Sequence, residues 1–462
     1  MMETRQLFGT DGIRGVAGEF PLTRESVYWF GRALGHDLVR VNPKARVVIG
    51  QDTRVSSPWI ADRFLQGLQS VGIETRSAGV ITTPGVAFLA RSQGFDAGVV
   101  ISASHNPWTD NGIKIFSGDG YKLPDARELA IEKEIFALLD SDAVSAPHPA
   151  PEVSSVPGEA NLRRAYVHWL SDSVSADLSR LRVAVDCANG AATAEAPELF
   201  HARKVKTTFL NSTPDGQNIN ENCGALHPET VAHFVAEQSH KREPEHFDLG
   251  VTFDGDADRA LFCDASGRVV NGDAVLLLAA RDMQSRGMLS KATVVATTMS
   301  NMGLELALKR SGIQMLRANV GDKYVLEEMQ RVGATLGGEQ SGHILFRDGD
   351  ATTGDGLLTA LRVLEIIART GKPLADLVAD LKVFPQIIKN VRVKTKTPFG
   401  EIPAAHAAIT AAEQELDGNG RVVVRYSGTE ALARVMIEAE SKDQMNRLAE
   451  SIVAAIQSAL GV

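Results

Sequence analysis

Short apolar runs, each followed by an amphipathic stretch, recur along most of the chain and constrain its fold more than any other feature. Residues 46–50 (RVVIG) and 97–101 (AGVVI) read as strands, and residues 58–71 between them as a helix. Strands without a polar face must be covered on both sides, so the alternation predicts βαβ units on a mostly parallel sheet. A second α/β block opens with a helical NLRRAYVHWL and a strand-like LRVAVDCANG. A third carries TVVATTMS as a buried strand and DKYVLEEMQ as a helix. From Phe384 onward IIKNVRVKT, RVVVRYSG and ARVMIEAE read as strands and LAESIVAAIQSAL as a final helix, which predicts a small α+β domain. The segment 145–157, SAPHPAPEVSSVP, is rich in Pro and Ser and reads as a surface loop or linker. The expected boundaries are 1–157, 158–264, 265–381 and 382–462.

With 462 residues and 44% apolar content, the chain can bury several cores. A net charge of −9 argues against a nucleic-acid partner, because a phosphate backbone needs a basic face. Neither a signal-peptide pattern nor an apolar segment of membrane-spanning length is found, so no membrane partner is expected and the cytoplasm is the expected compartment. Cys187, Cys223 and Cys263 fit neither a metal-site spacing nor a disulfide framework and are expected to be thiols.

Four loops carry the chemistry. Ser102-Ala103-Ser104-His105-Asn106-Pro107 follows the apolar run GVVI, at the strand end where open α/β sheets place ligands. Ser104 there is either a nucleophile activated by its neighbours or a member of an ordinary ST-turn. Lys114, a few residues on, is a cation able to return to the same pocket. Asp254-Gly255-Asp256-Ala257-Asp258-Arg259 spaces three carboxylates at i, i+2 and i+4, a pattern that can converge on one hard divalent cation. An EF-hand is rejected, since the sixth position is Arg259 and the twelfth Ala265. Three carboxylates leave coordination positions open for a phosphate.

Gly337-Gly338-Glu339-Gln340-Ser341-Gly342-His343 combines close backbone approach with donors and acceptors suited to sugar hydroxyl and amino groups, or is a simple glycine turn. Arg425-Tyr426-Ser427-Gly428-Thr429-Glu430, followed by Arg434, offers backbone N–H groups, hydroxyls and forked cations to a phosphate that does not react. Its arginines are otherwise surface charges. An N-terminal turn, Gly9 to Gly15, adds Arg14 on a glycine-rich loop.

Taken together, these loops resemble the active-serine, metal-binding, sugar-specificity and phosphate-binding motifs of the α-D-phosphohexomutase superfamily, in order and over the whole chain. The stretches LFGTDGIRG, DCANGAA, DGQNINENCGALHPE and VGDKYVLEEM add to the likeness. Phosphomannomutase/phosphoglucomutase relatives usually carry Met where Gln340 stands and His where Asp322 stands, so both positions favour the glucosamine branch. Ala257 stands where Gly is commoner and Ala431 where Pro is frequent, and neither change removes a ligand.

The resemblance implies a heart-shaped molecule with a central cleft, built from three related α/β domains with mixed sheets and a smaller fourth. It implies interconversion of glucosamine 6-phosphate and glucosamine 1-phosphate, on the route to UDP-N-acetylglucosamine. Ser104 would be a phosphoserine, and one Mg²⁺ would be held by it with Asp254, Asp256 and Asp258. A glucosamine 1,6-bisphosphate intermediate is implied, with that compound or glucose 1,6-bisphosphate as activator. Arg14 and Lys114 would flank the phosphoserine, Lys114 with a lowered pKa. Arg259, Glu339, Ser341, His343, Arg425, Ser427, Gly428, Thr429 and Arg434 would bind substrate. Lys114, His105 and His343 are the candidate bases. The family is compatible with a homodimer. The rival readings are phosphomannomutase/phosphoglucomutase activity and a non-catalytic regulator that binds sugar phosphates.

Overall fold

The strand Ala97–Ile101 forms at the centre of a six-stranded sheet, paired in parallel with Arg46–Gln51 and antiparallel with Asp110–Ser117. Glu74–Val80 continues the parallel side, while Gly12–Val16 and Phe8–Gly9 extend the antiparallel side. The sheet is therefore mixed, not mostly parallel. Only eight residues, 102–109, separate Ala97–Ile101 from Asp110–Ser117, too few for a crossover helix, so the chain must turn back. That short return is the loop that carries Ser104.

The computed structural model describes residues 6–9, 11–140, 157–238, 246–349, 351–427 and 431–461. Of the loop expected at 145–157, all but Pro157 lies outside them. Val47, Ile49, Val99 and Ile101 of the first sheet pack with residues of the helices Arg24–Val41, Ser57–Gln69 and Asp125–Leu139. Val48 and Val100 face the opposite way, toward Thr83–Ser92. Burying such side chains contributes about 1.5–3 kcal/mol each, which is why a continuous apolar run forces a layer on both faces.

The second sheet has the order Val269–Val270, Ala260–Asp264, Leu249–Phe253, Arg182–Asp186 and Lys206–Leu210. Leu249–Phe253 pairs antiparallel with Ala260–Asp264 and parallel with Arg182–Asp186. The turn between the first two of these strands is the three-aspartate loop. In the third sheet Leu336–Gly338 pairs in parallel with Thr293–Thr297 and antiparallel with Ile344–Phe346, so the loop from Glu339 to His343 is a hairpin turn. The last sheet is antiparallel throughout, with Leu432–Ala439 between Gln386–Arg392 and Gly420–Tyr426. Helices Pro403–Leu416 and Lys442–Leu460 bury its apolar face.

Packing divides the chain into two compact units, Met1–Met299 with Met315–Val378, and Ser300–Gln314 with Ala379–Val462. The helix Met302–Arg310 thus belongs to the second unit. Its cap residue Asn301 exchanges hydrogen bonds with the backbone of Phe384, donating to the carbonyl at 3.0 Å and accepting from the N–H at 2.9 Å.

Candidate active site

Ser104 lies three residues beyond Ala97–Ile101 and is 1% exposed. Its Oγ donates to Asp254 Oδ2 at 2.6 Å and lies 3.2 Å from His105 Nδ1. The first two sequence motifs, 150 residues apart, thus meet in one hydrogen bond. Asp254, Asp256 and Asp258 are all buried, and an oxygen from each lies within 4.8 Å of the others.

Folding alone leaves this acidic group short of partners. Asp256 Oδ1 and Asp258 Oδ1 are buried without a hydrogen-bond partner among the described residues. Burial and then the charges of Asp258 and Asp256 push the Asp254 carboxyl well above the carboxylate range. Such an arrangement of oxygen donors fits a hard divalent cation, which would supply the missing partner and relieve the repulsion.

The remaining partners are cations and a hydroxyl. Lys114, 2% exposed, donates from Nζ to Asp256 Oδ2 at 2.8 Å and stands 3.5 Å from Asp258 Oδ2 and 3.1 Å from Asp11 Oδ2. Burial by itself lowers the Lys114 pKa, but Asp11, Asp256 and Asp258 outweigh it and hold the ammonium well above its ordinary value. This reverses the expectation of a lysine with a lowered pKa, because three carboxylates from two loops surround it. Thr83, the first residue of Thr83–Ser92, donates its hydroxyl to Asp256 Oδ2 at 2.5 Å and its N–H to the Asp256 carbonyl at 3.0 Å. For Asp258, burial favours the neutral acid, yet Lys114 and His343 hold the carboxyl well below the usual range.

A cavity of about 400 Å³ opens beside these groups, and Arg14, His105, Arg259, Asp322, Glu339 and His343 line it. Arg14 bonds to Asp11 and reaches Asn106 Oδ1 at 3.4 Å. The Arg259 N–H donates to Asp254 Oδ1 at 3.1 Å. Burial, then Arg259 and Arg14, lower the His105 pKa to about 4, so its ring is neutral at pH 7. His343 behaves oppositely: burial lowers it, but Asp258, Asp322 and Glu339 raise it to about 9. Glu339 Oε1 accepts from Gly321 N–H at 3.1 Å. Ser341 lies in the hairpin turn but not among the residues lining the cavity. Gln340 points away, donating to Asp273 Oδ2 at 3.1 Å.

In the second unit, the antiparallel register sets Arg425 directly opposite Arg434. Ser427 is buried, its N–H donates to the Leu432 carbonyl at 2.8 Å, and its own carbonyl accepts from Lys396 Nζ at 2.7 Å. Gly428 and Thr429 lie outside the described residues.

Several residues gain a place that sequence reasoning did not assign. Asp11 joins Arg14, Lys114 and Lys122, the last at 2.5 Å, and Lys122 also donates to Asp322 Oδ2 at 2.6 Å. A lone Asp in a glycine turn looks like a turn former, and only its position 111 residues from Lys122 gives it another role. Thr83 and Lys396 carried no local signal at all.

Four family models match the chain in order. They are the phosphoglucomutase/phosphomannomutase alpha/beta/alpha domains I, II and III at residues 5–141, 164–267 and 271–384, and the C-terminal domain at 388–455. A phosphoglucosamine mutase of Koribacter versatilis is 62% identical over 459 residues, 99% of this chain and 98% of that one. Among solved structures, a phosphoglucomutase/phosphomannomutase family protein of Burkholderia thailandensis aligns with TM-score 0.78 and 25% identity over 99% of both chains. N-acetylphosphoglucosamine mutase of Aspergillus fumigatus, in complex with GlcNAc-6P and magnesium, shares the fold at TM-score 0.61 and 20% identity over 99% of this chain and 96% of that one.

Proposed function

Because the chain belongs to the phosphoglucomutase/phosphomannomutase family, we propose that it interconverts glucosamine 6-phosphate and glucosamine 1-phosphate through a phosphoserine at Ser104. The observation that carries this is the 2.6 Å hydrogen bond from Ser104 Oγ to Asp254 Oδ2, which sets a hydroxyl against a buried acidic group short of partners. The activity named for the Koribacter relative supports glucosamine as the sugar.

Asp254, Asp256, Asp258 and a phosphoserine oxygen would hold one Mg²⁺, which neutralises phosphoryl charge and orients the transferring group. The free sugar hydroxyl attacks phosphorus, its O–P bond forming as the Ser104 Oγ–P bond breaks and its proton leaving to a base. Of the three candidate bases, His105 has a ring that is neutral at pH 7 and stands beside the nucleophile, its Nδ1 3.2 Å from Ser104 Oγ. Lys114 and His343, whose pKa values are raised, keep their protons and stabilise developing negative charge.

Arg14 and Arg259 flank the same pocket. Glu339 and Ser341 read the ring hydroxyls. Arg425, Ser427, Gly428, Thr429 and Arg434 hold the phosphate that is not transferring, and Lys396 joins them through the Ser427 carbonyl. The glucosamine 1,6-bisphosphate then turns over and returns its other phosphate to Ser104. That compound, or glucose 1,6-bisphosphate, would restore phosphoserine when it is lost. The enzyme would work in the cytoplasm, as a monomer or a homodimer.

Intact-mass analysis after exposure to glucosamine 1,6-bisphosphate should show one added phosphoryl group, absent from Ser104→Ala. Rates with glucosamine, mannose and glucose 1-phosphates should be highest for glucosamine. Fastest turnover of mannose 1-phosphate would overturn the sugar assignment. Steady release of inorganic phosphate from glucosamine 6-phosphate would mark a phosphatase instead.

A further inference from the structure

Ser104 holds a left-handed backbone conformation, φ 54°, which a serine keeps only when its surroundings impose it. The restraint comes from two sheets. Arg54, 1% exposed, donates from Nη2 to the carbonyls of Ser104 at 3.1 Å and Asn106 at 2.6 Å, and from Nε to the Asp110 carbonyl at 2.8 Å. Asn220, 9% exposed, donates from Nδ2 to the same two carbonyls, Ser104 at 3.0 Å and Asn106 at 3.2 Å.

Asp52 locks the first arm. Its carboxylate accepts from Arg54 Nη1 at 3.1 Å and from Ser102 Oγ at 2.7 Å, and Ser102 Oγ accepts from Ser104 N–H at 2.9 Å. The second arm is fixed by Asn220 N–H donating to the Ala188 carbonyl at 2.9 Å. Gly255 makes the approach of the two loops possible: a Cβ there would stand 2.5 Å from the Ser104 carbonyl oxygen and 2.9 Å from Asn220 Nδ2.

We propose that Arg54 and Asn220 are positioning residues that clamp the Ser104 loop and hold its Oγ in register with Asp254. Neither lines the 400 Å³ cavity, so both act through the nucleophile and not on the sugar. A tight turn needs no pair of donors on the same two carbonyls. Asn220 lies between the strands Lys206–Leu210 and Leu249–Phe253 of the second sheet, in the block that carries Asp254, so its grip ties the nucleophile to the carboxylates it must face. The same contact gives a chemical purpose to the DGQNINENCGALHPE stretch, which supplies no group to the pocket.

The proposal rests on Ser104 as the phosphoryl carrier, and its test separates the two. Asn220→Asp tolerates the residue's own φ of 59° but turns a carboxylate on two carbonyls, and Asn220→Gly keeps the backbone freedom without the donor. Both should lower kcat by about 10²-fold, the usual cost of misplacing a reacting atom by about 1 Å, with KM within about twofold of wild type. Rates are read per folded molecule, from the folded fraction at the assay temperature. Arg54→Lys keeps the charge but not the fork and should lose activity less steeply.

If both Asn220 variants keep kcat per folded molecule within about threefold of wild type, the clamp is overturned. A rise in KM at unchanged kcat overturns it too, by assigning Asn220 to sugar binding. Wild-type protein that turns over no sugar phosphate would overturn the mutase reading itself, and the clamp's role with it.

Discussion

Glu438 and the aspartates 254, 256 and 258 are all buried, yet the protein treats the two groups in opposite ways. Glu438, 0% exposed in the second unit, is fully met by donors: Arg421 Nε at 3.0 Å, Gln386 Nε2 at 3.2 Å, Met302 N–H at 3.3 Å and Asn301 Nδ2 at 3.4 Å. In the first unit, like charges stand within 4.8 Å of one another, and Asp256 Oδ1 and Asp258 Oδ1 find no hydrogen-bond partner among the described residues. Leaving a buried carboxylate oxygen unpaired costs a few kcal/mol. Three carboxylates that share this cost at one point are suited to a divalent cation. Glu195 is also buried with both oxygens unpartnered among the described residues, but it stands outside the aspartate cluster; what marks Asp256 and Asp258 is that their unpartnered oxygens belong to a group of three carboxylates within 4.8 Å of one another.

The contrast can be broken by substitution. Asp256→Asn should cut turnover by about 10²–10³-fold, while thermal melting stays close to wild type, because losing the Lys114 pair is offset by relief of like-charge repulsion. A large fall in melting temperature with full activity per folded molecule would place Asp256 in the structural class. Glu438→Gln should do the reverse. It leaves Arg421 without its counter-charge and should destabilise the protein by about 2–3 kcal/mol, visible in denaturant unfolding, with turnover per folded molecule unchanged.

Asp355 sharpens the comparison from between the two extremes. It caps Gly356–Thr370 by accepting from Leu358 N–H at 2.9 Å and accepts from Tyr166 Oη at 2.7 Å, yet burial pushes its pKa up to about 6. A carboxyl raised on folding stabilises the native state in full below its unfolded value. That contribution is lost as pH climbs from about 4 through about 6, amounting to at most about 3 kcal/mol at pH 7. Asp355→Asn removes the charge and keeps the acceptor for Leu358 N–H, while its amide NH2, standing where Oδ2 accepts from Tyr166, donates to the Tyr166 hydroxyl oxygen instead. It should raise stability at pH 7 by about 1–2 kcal/mol and flatten the melting curve between pH 4 and 7; an unchanged pH dependence would refute the assignment.

How much could be read in advance follows from how local each signal is. The strands at 46–50 and 97–101 and the helix at 322–330 formed within a residue or two, since an apolar run or a helical period is contained in a few neighbours. The apolar runs alone point to a mostly parallel first sheet, whereas the family resemblance implies the mixed sheets that are found, and the short return of residues 102–109 is their local sign. Thr83 and Asn220 could not be found, because a threonine at a helix start and an asparagine in a polar loop are ordinary by themselves.

Sequence by itself determined which loops bear chemistry. A serine or three aspartates placed directly after a buried strand is a pattern a few residues long, and the strand's burial fixes where the loop emerges. Tertiary structure alone decided how those groups behave. Lys114 holds its proton because Asp11 and Asp256 stand 3.1 and 2.8 Å from its ammonium, though they are far from it along the chain. His105 and His343 part in opposite directions because burial, helped by Arg259 and Arg14, lowers the first, whereas Asp258, Asp322 and Glu339 outweigh burial at the second. Coulomb energy and desolvation depend on distance through space, which the order of residues does not contain.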